Sequence, residues 1–292
     1  MTDTPLIPTG GHVLAALDAS PHARAIADLA AWAAQRLGVP LDLLHAIERD
    51  TAAAPPADFS GSLSLGSQEA LLAELAAHDE QRGQLAQRHG RALLDQVRAH
   101  LRETVGIEAE ARLRHGALVD ALTDVEADVR LFVLGRRGAH DDGAAGHLGR
   151  NLERAIRAVH RPVLVATRPQ ATVAGFAIAF DGSATAQRCV DLVAASPLLQ
   201  GLDCHLVTVG ADDRHAESRE SALERLRAAG FAPTVASIDG APDEALVAYV
   251  DTHALDLLVM GAYGHSRIRR LIVGSTTTRV LQTTRVPVLL LR

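Results

Sequence analysis

The sequence predicts a parallel α/β protein in which one architecture is used twice. Three observations carry that reading: strand-length apolar runs alternate with amphipathic helical segments, landmarks recur in the same order in both halves, and each half places glycines where a strand feeds a helix. His12 to Leu17, ending in Asp18-Ala-Ser20, is matched by Phe176 to Phe180, ending in Asp181-Gly-Ser183. Leu131 to Gly135 followed by Arg136-Arg137-Gly138 is matched by Leu257 to Met260 followed by Gly261-Ala-Tyr-Gly264. Arg161-Pro162 and its apolar run are matched by Val286-Pro287 and theirs. Such a repeat reads as a tandem duplication. The short polar stretch Arg168 to Thr172, with a proline, is the natural linker, dividing the chain into domains 1–167 and 168–292.

Taken in order, the first half opens with the strand at His12, and an Ala-rich amphipathic helix follows from Ala23 to Leu37. Asp18 and Asp181 are 163 residues apart, whereas Gly135 and Gly261 are 126 apart, so the first half holds about 37 extra residues. They fall between Arg49 and Arg112, as a loop over 51–67 and a long or broken helix over 68–104 with charges on its outer face. In the second half, strands are expected at Gly175 to Phe180, His205 to Val209, Thr234 to Ile238, Leu255 to Met260 and Val286 to Leu291, with a helix from Ala184 to Ala195 after the first. Five strands joined by helical crossovers make a parallel sheet covered on both faces, and ligands then bind beyond the carboxyl ends where strand order reverses. With the order 3-2-1-4-5, Asp181 and Gly261 flank that point.

Composition narrows the chemistry. The net charge is −6 and the basic residues are scattered, which argues against nucleic acid as a partner. All 29 basic residues are arginine, so no lysine can serve a P-loop, a kinase strand or a Schiff base. Two cysteines, Cys189 and Cys204, are too few for a disulfide framework or thiolate metal site and read as small core residues. No apolar run is long enough to span a bilayer and the N-terminus lacks a secretion pattern, so the expectation is a cytoplasmic protein without a membrane partner.

The segment from Gly261 to Thr276 carries the chemistry. Gly261-Ala-Tyr-Gly264, nine residues, then Gly274-Ser275-Thr276 places glycines at the junction of a buried strand and a helix N-terminus. Glycine admits a phosphate close to the backbone, and the first N–H groups of a helix have no internal partner, so this is an anion-binding arrangement.

These residues resemble the universal stress protein family in its form with two domains in one chain. Besides the glycine pattern, the strand ending in Asp and the closing Val-Pro-Val-Leu-Leu-Leu carry the likeness, and Gly-Ala-Tyr-Gly-His-Ser-Arg at 261–267 is typical of it. The resemblance implies two Rossmann-like domains of the adenine nucleotide alpha hydrolase-like kind, ATP binding, and a role in stress or growth arrest. It would set Asp181 near ribose and adenine, Val209 against adenine through its backbone, and Met260, Gly261 and Gly264 along the ribose and phosphate path. Gly274, Ser275 and Thr276 would hold the β- and γ-phosphates, with Arg267 chosen over Arg269 and Arg270 to neutralise their charge. It also implies that the two halves pair through their final strands, Val163 to Ala166 and Val288 to Leu291, as an intramolecular pseudo-dimer; the alternative is that each edge is covered by its own helices alone. A homodimer is left open.

The first half departs from the pattern. Ten residues, not nine, separate Gly138 from Gly149, and Arg150-Asn151 stand in place of Ser-Thr. Nucleotide occupancy there is not expected, and Asp18, Gly135 and Gly138 are its best candidates. Blander roles stand beside the sharp ones: Asp181 and Ser275 as turn or cap residues, Tyr263 as packing, and His140-Asp141-Asp142 with His147 as a solvated loop rather than a metal site. No nucleophile elbow or zinc-protease pattern accompanies His253 or His265. The expected function is a nucleotide-dependent regulatory or protective factor binding ATP, with Mg²⁺ as the ion that would accompany it. The alternatives are a slow Mg²⁺-dependent ATPase and a stress protein that binds partners without nucleotide.

Overall fold

The computed structural model describes residues 10–48, 65–136, 148–167, 172–210, 216–262 and 274–292, with side chains from residue 74 onward in the segment that begins at 65. The first half contributes strands β1 (His12–Leu17), β2 (Leu41–Ile47), β3 (Ala109–His115), β4 (Val129–Gly135) and β5 (Val163–Ala166), with helices α1 (Ala23–Leu37), α2 (Leu65–Thr104), α3 (Leu118–Val125) and α4 (Arg150–Ala158). The second contributes β6 (Gly175–Ala179), β7 (Asp203–Val209), β8 (Thr234–Ile238), β9 (Leu257–Gly261) and β10 (Val288–Leu291), with α5 (Ala184–Ala195), α6 (Ala216–Ala228), α7 (Pro242–Thr252) and α8 (Ser275–Thr283).

All ten strands lie in one sheet, in the order β3-β2-β1-β4-β5-β10-β9-β6-β7-β8. Within each half the order is the expected 3-2-1-4-5 and every pairing is parallel. At the centre β5 and β10 pair antiparallel, with Val163 opposite Leu290, Leu164 opposite Leu289 and Val165 opposite Val288. The final strands are therefore interior strands of a shared sheet, and their near-continuous apolar sequence follows from burial on both faces.

Side chains alternate across that sheet. Val13, Ala15, Leu131, Val133, Phe176, Ile178, Leu257, Val259 and Leu289 join one core cluster, together with residues of α1, α2, α5 and α6. Leu14, Phe132, Leu134, Ala177, Leu258, Met260, Val288 and Leu290 join the other, with α3, α4, α7 and α8. Each cluster runs through both halves, so the halves share two continuous cores. Side chains also cross the seam: the guanidinium of Arg36, at the end of α1, donates to the Leu198 and Gln200 carbonyls of the second half, the former at 3.0 Å.

Strand starts differ from expectation where backbone chemistry intervenes. Pro287 has no N–H to give a ladder, and it serves instead as an acceptor, its carbonyl taking a bond from Leu258 N at 3.1 Å; β10 begins one residue later. Leu255 is still engaged with the end of α7, donating to Val250 O, so β9 begins at Leu257. The first-half surplus lies between β2 and β3, where residues 48–108 replace the shorter 210–233 of the second half. It includes the single 40-residue helix α2, which buries Leu94, Val97 and Leu101 against the sheet. At Gly90 this helix approaches so closely that a Cβ would stand 2.7 Å from both the His45 ring and a Leu113 methyl. Roughly 35 Å of helix precedes that contact at 1.5 Å per residue, and residues 74–85 along it are exposed. Among the described residues no helix is long and apolar enough to cross a membrane.

Candidate functional site

Because β9 lies beside β6, the strand order brings Asp181 and Gly261 to the same reversal point at the carboxyl edge of the second-half sheet. The chain leaves β6 through a turn fixed by Asp181, whose Oδ1 accepts from Ser183 N at 3.0 Å. Ser183 is the helix cap: its Oγ accepts from Ala186 N at 3.1 Å and starts α5. The expected turn role of Asp181 is thus present in its own geometry, and the carboxylate is exposed.

The start of α8 is hung from the end of β9 by backbone. Ala262 N donates to Leu291 O at 2.7 Å, and Gly274 N donates to Ala262 O at 3.1 Å. Thr277 completes the join, its buried hydroxyl donating to Gly261 O at 2.9 Å. Gly274 is the N-cap; among the described residues no side chain caps the helix, and its first turn holds no acidic residue. Among the described residues the first N–H donors of the helix thus have no side-chain partner, and they carry the positive end of its dipole, equivalent to about half an elementary charge. Ser275 is exposed and Thr276 half-buried beside those donors. What this end can do chemically is accept an anion.

Met260 is buried in the core cluster beneath α7 and α8, so its main chain is what it presents at the edge. Val209 ends β7 at Ile238, and the next amide, Gly210 N, is taken by Ile238 O at 2.8 Å. Gly264 and Arg267 lie outside the described residues, as do Gly138, Tyr263, His265, Arg269, Arg270 and the His140 to His147 cluster. The structure thus gathers Asp181, Val209, Met260, Gly261, Gly274, Ser275 and Thr276 along one sheet edge. Sequence reasoning passed over Thr277, the third hydroxyl of the Gly-Ser-Thr-Thr run, although its position three residues after the cap, about one helical turn, is a readable signal.

The first half repeats the backbone and changes the chemistry. Arg136 N donates to Ala166 O and Gly149 N to Arg136 O, at 3.0 and 3.1 Å, the same two bonds that seat α8. Gly149 caps α4 as Gly274 caps α8, and Asp18 Oδ1 holds Ser20 N at 3.0 Å as Asp181 holds Ser183. Gly135 ends β4 as Gly261 ends β9. In contrast, Glu48 Oε1 accepts from both Leu118 N and Asn151 Nδ2 at 3.1 Å, so the first turn of α4 already engages a carboxylate. Glu48, Asp120, Asn151, Arg154 and Arg157 line a cleft of about 390 Å³ there. The basic side chain expected to enrich this loop, Arg136, turns instead to the second half, where it meets the carbonyls of Leu281, Gln282 and Thr284.

Comparison with known proteins agrees with this framework. The sequence profile of the Universal stress protein family matches residues 11–167 and 205–292. The chain is 37% identical over 286 residues to Universal stress protein Slr1230 of Synechocystis, covering 96% of this chain and 99% of that protein. Among solved structures, a universal stress protein from Archaeoglobus fulgidus superposes with a TM-score of 0.71 at 18% identity, covering 96% of this chain and 98% of the other. A putative universal stress protein from Pseudomonas aeruginosa gives 0.60 at 15% identity, covering 97% and 94%. These two likenesses concern the fold, an α/β sheet with helices on both sides, while the profile and the Synechocystis relative concern descent: the chain belongs to the universal stress protein family.

Proposed function

We propose that the second half binds ATP and that the protein is a nucleotide-dependent regulatory or protective factor in the stress response, with occupancy changing shape or association instead of driving turnover. The observation that carries this reading is the start of α8: a glycine-capped helix end, without side-chain cap or first-turn carboxylate, fastened beside Gly261 at the point where strand order reverses. Phosphates suit that end because backbone donors and the helix dipole both favour negative charge. In this reading Gly274, Ser275 and Thr276 receive the β- and γ-phosphates, Gly261, Gly264 and the Met260 main chain follow the ribose, Asp181 holds ribose hydroxyls, and Val209 meets adenine through its backbone. Arg267 supplies charge to the phosphates, and Mg²⁺ accompanies them.

The reading includes domains at 1–167 and 168–292, a cytoplasmic location, and a first half that does not take nucleotide. Support for the last point comes from Glu48: a phosphate reaching the first turn of α4 would meet a carboxylate already bonded to Asn151. The residue 163 positions on is Ala211, which has no carboxylate to offer.

The test is to denature the purified protein and identify the released nucleotide by mass spectrometry. Near one ATP per chain is expected. Two per chain would overturn the reading of the first half, and none, with added ATP also failing to bind, would overturn the site. Timed ADP release from bound ATP separates a carrier from a slow ATPase.

A further inference from the structure

α8 has two ends, and each is held by a different half of the protein. Its N-terminus is fixed to β9 through Gly274 and Thr277. At the other end its last turn contains no basic residue of its own, so the carbonyls that every helix leaves unpaired there lack an internal cation. Arg136 supplies one from the other half: its guanidinium donates to Thr284 O at 2.8 Å, Leu281 O at 3.3 Å and Gln282 O at 3.4 Å. Thr167, also of the first half, donates to Arg285 O at 2.7 Å just beyond.

The position of Arg136 in its own half gives this clamp a further meaning. It directly follows Gly135, and its backbone makes the two bonds that seat the start of α4, to Ala166 O and from Gly149 N. Its counterpart in the second half is Ala262, which makes the same backbone bonds and has no side chain to reach with. The first-half glycine turn and the second-half helix therefore meet in one residue. All three contacts are made by one nitrogen, Nη1, which gathers the carbonyls of the helix end around a single positive charge.

We propose that Arg136 is a positioning residue for the second-half anion site, acting through α8 and coupling the glycine turn of the first half to occupancy of the second. The proposal rests on the ATP-binding reading for its affinity consequence and on the clamp alone for its structural one. A helix nine residues long, seated between sheet and seam, moves as a unit, so releasing its C-terminal end loosens the placement of its N-terminal donors. By linkage the effect is reciprocal: anion binding at Gly274 would steady α8, and through Arg136 the first-half turn.

The experiment uses the full chain, with Arg136→Ala and Arg136→Lys compared to the unaltered protein by ATP titration calorimetry and by hydrogen exchange with and without ATP. Arg136→Ala is expected to weaken ATP binding on the order of fivefold, within the usual range of coupling between sites, with Arg136→Lys weakening it less. In the unaltered protein ATP is expected to slow exchange of the Gly149 amide, and Arg136→Ala to abolish that response. Equal ATP affinity in all three proteins overturns the proposal, as does a Gly149 response that survives the alanine. If the unaltered protein does not bind ATP, the nucleotide reading falls by itself, and ligand-free exchange over 275–284 decides the clamp: faster exchange in Arg136→Ala sustains it, and unchanged exchange ends it. Should the alanine variant fail to fold, Arg136→Gln, which removes the charge, carries the same comparison, and affinity and exchange identical to the unaltered protein overturn the proposal.

Discussion

Thr277→Val removes one hydroxyl from the join between β9 and α8 and changes little else. The side chain is 2% exposed, and its Oγ1 donates to Gly261 O at 2.9 Å. Valine has nearly the same shape, so no cavity opens; what is lost is a buried hydrogen bond, worth about 1–2 kcal/mol where the acceptor loses its donor. At about 2–4 °C per kcal/mol for a protein of this size, the thermal midpoint should fall by roughly 2–8 °C. Thr277→Ser keeps the hydroxyl and loses a methyl, at about 1 kcal/mol, so stability alone does not separate the variants. Nucleotide affinity does: valine should weaken ATP binding by about threefold to tenfold, as 1.4 kcal/mol is tenfold, while serine stays near the unaltered protein. Far-UV circular dichroism follows the whole chain, and fluorescence of Trp32, the single tryptophan, follows α1 in the other half. Because both cores run across the seam, the two transitions should shift together. A valine variant with unchanged midpoint and affinity would refute the role given to this hydroxyl.

Three other outcomes follow from the site and its surroundings. Gly261→Val should abolish ATP binding while the circular dichroism spectrum stays native, and unchanged affinity in titration calorimetry would sink the proposed site. Burial raises both thiols, pushing Cys204 up to about 12 and Cys189 well beyond its ordinary value, with the Asp181 and Asp191 carboxylates adding to the latter. Neither should react with a chromogenic disulfide reagent at neutral pH until the protein unfolds. His205 bonds Tyr249 Oη through Nδ1 at 2.8 Å; burial, then the nearby His253, lowers its pKa, with Asp203 opposing. Below its unfolded value of about 6.5, the unfolded chain takes up a proton that the folded chain resists, so stability falls as pH drops through that value. His205→Gln should flatten the stability profile measured by urea titration between neutral and mildly acidic pH; an unaltered slope would assign the acid sensitivity elsewhere.

Much of the fold was legible because parallel sheets advertise themselves. Helices α1 and α5 have the bounds that their periodicity predicts, and β8 does as well. Two late strand starts come from single backbone groups: Pro287 has no N–H to donate, and Leu255 still belongs to the turn that ends α7; β7 begins early, at Asp203 instead of His205, because Asp203 pairs with Gly175 and donates to Ala174 O. The surplus between β2 and β3 was countable, but not that a single helix includes residues 65–104, because charges on an outer face say nothing of what lies beneath. At the candidate site, the turns at Asp181-Gly-Ser183 and at Gly274 were readable as strand-to-helix junctions because each is local in sequence. Arg136 was not, since its partners lie 145 to 148 residues away and only the antiparallel seam brings them near.

The same backbone at Gly149 and Gly274 means that the difference between the halves resides in side chains around a common frame. Around Gly274 the groups are small or hydroxylic, Ala262, Ser275 and Thr276, and leave the helix start open to an anion. Around Gly149 the groups are longer and polar, and they are already committed, the Arg136 guanidinium to α8 and the Asn151 amide to Glu48. The commitment of Arg136 is itself structural, because it holds the helix that carries the proposed anion site. The seam adds a second reason to keep the first half intact. Without β5, the edge of β10 would present unpaired amides along Val288–Leu291, a strand apolar on both faces and prone to pair with another chain. The first half therefore supplies the covering strand, a shared core on each face and the cation that ends α8.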